Sequence, residues 1–182
     1  YTIPAGNLFP PGMAKTKPEI FTMGHRNPLR FSVDPATGAV LSGDVGPDAP
    51  TDYDEFNFTR NAGNQGWPYF VGDMAYTVND KPAEASAPQN ISSTNTGLTS
   101  LPAQRPPAYQ YRYAGNIRFP GFNRGGRVAC AGPLYRYNGT VKSTVKLPLW
   151  FDGKWLVWDW KQRSIWAASI DPQGNFSSML DL

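Results

Sequence analysis

The chain has 182 residues, of which 40% are hydrophobic and 14% aromatic, which is enough for a sizeable core and excludes a disordered chain. Its formal net charge of +3 comes from 17 basic and 14 acidic residues without a Lys/Arg-rich block, so a nucleic-acid partner is not expected. No apolar stretch approaches the roughly 20 residues that cross a bilayer, which excludes a membrane span, and the single cysteine excludes an intrachain disulfide.

The first part of the chain alternates turns with short strand-like runs. Residues 1–18 are rich in Gly and Pro and predict an irregular N-terminal segment. The strand-like runs that follow are 19–23, 29–33, 39–42 and 55–59. Turns rich in Gly, Pro and Asp separate them, a rhythm typical of a sheet or propeller. Because the sequence begins at Tyr1 without an initiator Met, we expect a processed product or an excised piece.

The second part has a long polar stretch and then a second set of strands. Residues 74–107 are low in large aliphatic side chains and predict a long irregular surface insertion. Strand-like runs return at 109–113, 129–137, 154–160, 164–170 and 175–180, and no segment keeps a helical period. The fold class is therefore predicted to be all-β.

The amount of strand predicts only part of a propeller. Four-stranded blades take roughly 40 to 50 residues, so residues 1–182 have material for about three, whereas a closed propeller needs at least about four. We therefore expect one partial β-propeller. Its exposed flanks would be covered by further blades of a larger protein, by a second copy or by a partner.

A turn before the second strand-like run carries His25, Arg26 and Asn27. A guanidinium fork and an amide together suit a small ligand with several carboxylates. The alternative is that Arg26 pairs with an acid such as Asp44 or Asp54, while Asn27 caps the turn. His25 is the only histidine and has no acid partner evident in the sequence, so a structural role is expected for it.

Carboxylates and a Gly-Pro turn lie close together in residues 44–55. Asp44, Asp52, Asp54 and Glu55 flank Gly46-Pro47. Ca²⁺ takes six to eight oxygen ligands, among them the carbonyl oxygens of tight turns, so this segment predicts a calcium site. The alternative is that the acids are solvated turn residues.

Two basic motifs stand in the second half. The segment 124–127, Arg-Gly-Gly-Arg, lacks the Lys-Ser/Thr ending of a phosphate loop and predicts a tight turn with exposed cations. Lys161 follows the aromatic run 154–160, where its residue type and the turn around it predict an exposed turn residue.

The stretches MGHRNPLRFSVDP, GDVGPDAPTDYDEFNF and NAGNQGWPYFVGD, which run from Met23 to Asp73, resemble the soluble quinoprotein glucose/sorbosone dehydrogenase family. That resemblance implies a six-bladed propeller that binds pyrroloquinoline quinone (PQQ) and calcium. It places the quinone contacts at Arg26, Asn27 and Lys161. It assigns the catalytic histidine to an earlier blade and paired arginines to the last blade, neither of which this chain contains.

The resemblance also implies two calcium positions. The first, which seats the quinone, uses the carbonyls of Gly46 and Pro47, although Val45 stands where the family commonly has Gln. The ligands implied for the second are the Glu55 carboxylate and carbonyls at Gln65, Val71 and Asp73.

The function implied is oxidation of a sugar hydroxyl by hydride transfer to PQQ, in a secreted or periplasmic protein. Because the catalytic residues are not in this chain, we expect it to be inactive alone. The alternatives are a non-catalytic module that binds carbohydrate or a protein partner through aromatic loops, and an assembling structural unit.

Overall fold

Strands form nearly all of the regular structure in the computed structural model, which describes residues 1–48, 52–78 and 81–182. Within these residues, the helical elements are two 3-10 turns, Pro120–Phe122 and Leu149–Phe151. The prediction of an all-β chain is therefore confirmed. The strands in chain order are β1 Thr22–Met23, β2 Pro28–Val33, β3 Val40–Asp44, β4 Asp54–Thr59, β5 Gly63–Asn64, β6 Phe70–Val71, β7 Met74–Ala75, β8 Thr77–Val78, β9 Lys81–Pro82, β10 Tyr109–Tyr111, β11 Ala129–Leu134, β12 Trp155–Asp159, β13 Ser164–Ile170 and β14 Phe176–Asp181.

The first sheet has four antiparallel strands in the order β10-β4-β3-β2. Since β2, β3 and β4 are consecutive, they form a meander, and β10 joins its edge after a long excursion of the chain. The pairing places Asp44 opposite Glu55 at one end of the sheet. Loops at this end carry the candidate site.

The second sheet is also a four-stranded antiparallel meander, with the order β11-β12-β13-β14. Trp155, Val157 and Asp159 alternate with less buried residues along β12, so one face of the strand lies in the core. Such meanders have the form of propeller blades. The described residues contain two of these sheets.

Aromatic side chains fill the space between the two sheets. The centre of the Phe56 ring lies 5.7 Å from that of Tyr111 and 5.6 Å from that of Phe176. The ring centres of Phe122 and Trp166 are 4.2 Å apart. At about 25 cal/mol per Å² of buried apolar area, such large side chains dominate the stability of a core. The largest fully buried members of this core cluster are Trp155, Trp166, Tyr111, Phe56, Phe122 and Phe176.

Close backbone contact joins the two sheets. A Cβ atom on Gly43 of β3 would lie 2.6 Å from the carbonyl oxygen of Ala129 on β11, so only glycine permits this approach. Nearby, Ser32 Oγ donates a hydrogen bond to the Gly132 carbonyl across the same junction, at 2.7 Å. The position of β11 against the first sheet therefore depends on the absence of a side chain at position 43.

The chain between β4 and β10 forms small pieces of sheet. β1 and β5 pair in parallel, and the hairpins β6-β7 and β8-β9 follow. Of the segment 74–107, predicted as an insertion, residues 79 and 80 lie outside the described part of the chain. In the described residues, no helix is both long and apolar enough to cross a membrane.

Candidate functional site

The Asp44 carboxylate organises the turn that carries the predicted quinone contacts. It is buried at the end of β3 and accepts hydrogen bonds from the backbone N–H groups of Asn27, at 2.7 Å, and Arg26, at 3.1 Å. The same carboxylate lies 3.2 Å from His25 Nδ1, and the other ring nitrogen of His25 lies 3.0 Å from Thr22 Oγ1. His25 therefore has the acid partner that was not evident in the sequence. With both ring nitrogens engaged, it fixes the turn.

The Arg26 guanidinium lies across the Gly-Pro turn. Its Nη1 donates to the carbonyl oxygens of Val45, at 3.1 Å, and Gly46, at 3.0 Å. Its Cζ atom lies 5.5 Å from the centre of the Trp67 ring, within the range of a cation–π interaction. In the described part of the chain its guanidinium contacts carbonyl oxygens, not the carboxylate of Asp44 or Asp54, so the alternative ion pairing is wrong.

Arg127 reaches the same turn from the second sheet. Its Nη1 donates to Asp54 Oδ1 at 2.6 Å, and its Nη2 donates to the Pro47 carbonyl oxygen. Asp54 also accepts hydrogen bonds from the backbone N–H groups of Gly46 and Ala129. Arg127 is only 5% exposed, so the prediction of exposed cations in segment 124–127 is wrong for this residue. Burying the guanidinium carries a desolvation cost, which the pairing with Asp54 offsets.

The Asp54 carboxyl is fully buried, and burial raises its pKa to about 6. The Ala129 N–H and the charge of Arg127 oppose that rise because both favour the ionised form. Asp54 is therefore ionised at neutral pH and balances the charge of Arg127.

The neighbouring Glu55 carboxyl behaves differently. It is 7% exposed, and burial, reinforced by the nearby charges of Asp44 and Asp54, raises its pKa to about 8. The Gly72 N–H donates to Oε1 and the Asn57 amide donates to Oε2 at 3.2 Å, and both contacts moderate the rise. Glu55 is therefore mostly uncharged at neutral pH.

A small cavity separates Glu55 from Arg26. Its free volume is about 10 Å³, which is room for about one water molecule. Its lining includes Arg26, Asp44, Gly46, Glu55, Trp67 and Val71. The folded chain thus brings together predicted quinone and metal residues from the turns beside β2 and β3 and from strands β4 and β6.

The other predicted site residues have contacts of their own. Gln65 is buried and its Nε2 donates to the hydroxyls of Thr22 and Thr59. Asp73 is exposed and exchanges hydrogen bonds with Gln110 of β10. Neither Gln65 nor Asp73 lines the cavity that Glu55 and Val71 line.

The remaining predicted quinone contacts are exposed. Asn27 presents its side chain at the surface beside Arg26. Lys161 is exposed in the turn after β12 and packs over Gly126, where an added Cβ would lie 2.3 Å from Lys161 Cγ. Gly126 is adjacent to Arg127, so Lys161 lies on the side of the site that the second sheet forms.

The two calcium positions implied by the resemblance fit the structure unequally. At the first, the carbonyls of Gly46 and Pro47 accept hydrogen bonds from Arg26 and Arg127, so a metal ion would meet two positive groups at its own ligands. The first position therefore does not fit Ca²⁺. At the second, Glu55 and Val71 line a small cavity together with Asp44 and Arg26, so an ion there would have two carboxyl groups and one cation beside it. In the described residues, no group of three or more His, Cys, Asp or Glu side chains could hold a metal ion.

Sequence reasoning did not identify Arg127 or Trp67 as parts of this site. Arg127 lies 73 residues from Asp54 and 80 from Pro47 along the chain. No local motif relates such distant positions. Trp67 lies in the stretch NAGNQGWPYFVGD, and only the fold shows that its ring packs beside Arg26.

Comparison with known proteins gives a consistent result. Residues 2–122 match the family model described as Glucose / Sorbosone dehydrogenase. The HIPL2 protein of Arabidopsis thaliana is 28% identical over 192 residues, a match that covers 99% of this chain and 22% of that protein. The chain thus spans about a fifth of the length of that curated relative.

Solved structures share the fold at low sequence identity. A protein of Thermus thermophilus that is described as an oxidoreductase (glucose dehydrogenase) has a TM-score of 0.56 at 20% identity, covering 98% of this chain and 39% of that one. The PQQ-bound aldose sugar dehydrogenase of Streptomyces coelicolor has a TM-score of 0.52 at 14% identity, covering 98% and 35%. The apo-form of the soluble aldose sugar dehydrogenase of Escherichia coli has a TM-score of 0.54 at 16% identity, covering 98% and 41%.

Proposed function

Because the chain belongs to the glucose/sorbosone dehydrogenase family, we propose that it forms the quinone-binding part of a PQQ-dependent sugar dehydrogenase. The observation that carries this proposal is the exposed Arg26 guanidinium, held by the Gly46 carbonyl and set beside the Trp67 ring. A fixed guanidinium next to a flat apolar surface suits a planar, multiply carboxylated ligand.

Each of the exposed residues has a defined part in binding. Arg26 uses Nη1 for the turn carbonyls, which leaves its other N–H groups to donate to a ligand carboxylate. Asn27 offers an amide donor and acceptor beside it, and Lys161 offers a second cation. When bound, PQQ supplies the hydride acceptor for oxidation of a sugar hydroxyl.

Proton removal from the sugar is not assigned to a residue of this chain. His25 has one ring nitrogen at Asp44 and the other at Thr22, so its contribution is to hold Arg26 and Asn27 in position. We therefore propose that the chain binds the quinone but does not turn over sugar by itself.

We propose that calcium binds at the second implied position, beside Glu55, and not at the Gly46-Pro47 turn. Glu55 and Val71 would hold Ca²⁺ in the cavity between them, and Gln65 and Asp73 remain proposed ligands from the resemblance. Binding requires ionised Glu55, so it releases a proton and strengthens as the pH rises towards 8. A chelator should lower the melting temperature of the wild type and leave that of Glu55→Gln unchanged, because a bound ion stabilises the state it binds.

The wider proposal concerns architecture, substrate and location. We propose that this chain forms about three blades of a six-bladed β-propeller. The two four-stranded sheets would be two of these blades. The remaining blades would belong to the same protein, in a secreted or periplasmic location, with a small sugar as substrate. Association with a second copy has no support in the described part of the chain, and the proposal leaves it out.

A titration of the chain with PQQ, followed by the quinone absorbance, tests the proposal. We expect saturable binding that Arg26→Gln weakens by about tenfold or more, which corresponds to the loss of a charge-assisted hydrogen bond. No saturable change with wild-type protein, whether calcium or a chelator is present, would refute it.

One observation favours the alternative of a carbohydrate-binding module. The Trp150 ring is 51% exposed, with Lys154 Nζ 5.0 Å from its centre, and an exposed indole is a surface on which a sugar ring can stack. Under this alternative, Trp150→Ala would abolish retention on immobilised sugar, and PQQ would not bind.

A further inference from the structure

The Gly46-Pro47 turn is already supplied with positive charge by the protein. The Gly46 carbonyl accepts from Arg26 Nη1 at 3.0 Å, and the Pro47 carbonyl accepts from Arg127 Nη2. These are the two oxygen atoms that the family resemblance assigns to the calcium ion that seats the quinone. The same two oxygens therefore contact arginine in this structure, where the resemblance implies a metal ion. The role given to these arginines below rests on the proposed function.

Arg127 is a permanent part of this arrangement. It is buried, forms an ion pair with fully buried Asp54, and its Cζ atom lies 5.1 Å from the centre of the Tyr113 ring. Moving its guanidinium away would leave the Asp54 charge buried without its ion pair, which is strongly unfavourable. A cation is therefore fixed at Pro47.

Arg26 lies between the Gly46-Pro47 turn and the solvent, where a ligand would bind. One side of its guanidinium bonds the carbonyls of Val45 and Gly46, while the residue as a whole is exposed. A metal ion that seats a ligand on a turn also contacts turn carbonyls on one side and the anionic ligand on the other. A guanidinium, with five N–H donors in a planar fork, makes both sets of contacts at once.

A divalent ion at the same oxygens would be repelled by both arginines. The carbonyl oxygens that the ion would need already accept hydrogen bonds from the two guanidinium groups. Like charges at contact distance repel each other strongly where bulk water does not screen them. The backbone carbonyl oxygen of Val45 accepts a hydrogen bond from Arg26 Nη1 as well.

We propose that Arg26 and Arg127 replace the metal ion at the Gly46-Pro47 turn, so that this chain binds a planar polycarboxylate ligand there directly through arginine. The quinone seat is thereby independent of calcium. Calcium, if it binds, does so only at Glu55.

Two titrations of the intact chain test the proposal. In the first, PQQ is titrated into wild-type protein with EDTA and then with saturating Ca²⁺, and we expect dissociation constants that agree within about twofold. In the second, Ca²⁺ is titrated calorimetrically into Glu55→Gln, which lacks the other calcium position, and we expect no binding heat. Arg26→Gln should weaken PQQ binding about tenfold or more in EDTA, whereas Arg26→Lys should recover part of the loss.

Arg30→Gln is the matched control, because Arg30 is an exposed arginine of β2 and the variant changes net charge equally. Its PQQ affinity should equal that of the wild type. PQQ binding that appears only with Ca²⁺ would overturn the metal-free seat while leaving the proposed function intact. Calcium binding by Glu55→Gln that Arg26 substitutions alter would also overturn it. PQQ binding under neither condition would refute the proposed function and this inference with it.

Discussion

Glu55→Gln should remove most of the pH dependence of stability between about pH 4.5 and 8. In the folded protein, burial raises the pKa of Glu55 from 4.5 to about 8. Between these values the folded state keeps a proton that the unfolded state releases, so the free energy of unfolding falls as the pH rises. At about 1.4 kcal/mol per pKa unit, the wild type should lose on the order of 4 to 5 kcal/mol across this window.

The glutamine variant has no ionisable group at this position, and its amide oxygen can still accept the hydrogen bond from the Gly72 N–H. Its stability should therefore change much less with pH. A residual slope of the same sign is expected from Asp54, whose pKa burial raises to about 6. The difference between the pH dependences of the two proteins gives the contribution of Glu55. A loss of this size is large, because the free energy of unfolding of a domain is only about 5 to 15 kcal/mol.

Urea unfolding at a series of pH values, with a chelator present, measures the effect. Glu84→Gln is the matched control, because Glu84 is exposed, and its profile should follow that of the wild type. Parallel profiles for wild type and Glu55→Gln would show that the carboxyl is not held uncharged in the folded state, and would refute the reasoning.

Two further predictions concern the framework. Asp34 is fully buried, and hydrogen bonds from the Arg136 guanidinium lower its pKa to about 2. The ionised Asp34 carboxylate should therefore stabilise the folded state above about pH 4, and this stabilisation should disappear as the pH falls towards 2. Asp34→Asn should flatten the acid limb of an unfolding profile, and an unchanged acid midpoint would contradict this. Gly43→Ala should destabilise the chain by about 1 to 3 kcal/mol, because the new Cβ would lie 2.6 Å from the Ala129 carbonyl oxygen. Gly97→Ala is its control, since the nearest atom there is 3.4 Å away, and equal urea midpoints for the two variants would be the contrary result.

Much of the strand pattern could be predicted, because strands depend on local alternation and on turn residues. The run predicted at 164–170 is β13, and that at 29–33 is β2 with one more residue. The run predicted at 129–137 ends earlier, at Leu134. Sequence reasoning also placed Arg26, Gly46 and Glu55 in one region, since the turn before β2, the turn after β3 and the start of β4 lie at the same end of the first sheet.

The contacts within the site could not be predicted in this way. Whether Arg26 pairs with an acid or with carbonyl oxygens depends on where the Gly46-Pro47 turn folds, and both patterns are compatible with the same residues. Arg127 is expected at the surface from its Gly-rich surroundings, yet packing of the second sheet against the first buries it beside Asp54.

The amino-acid sequence by itself determined the all-β class, the positions of the longer strands and the family, because these depend on short-range patterns and on motifs of adjacent residues. Only the tertiary structure decided the charge state of Glu55 and the cations at the Gly46-Pro47 turn. Burial determines the charge state of Glu55, and the approach of Arg127 from 80 residues away supplies one of the two cations. No local pattern records which distant side chains exclude water from a carboxyl group or reach a carbonyl oxygen.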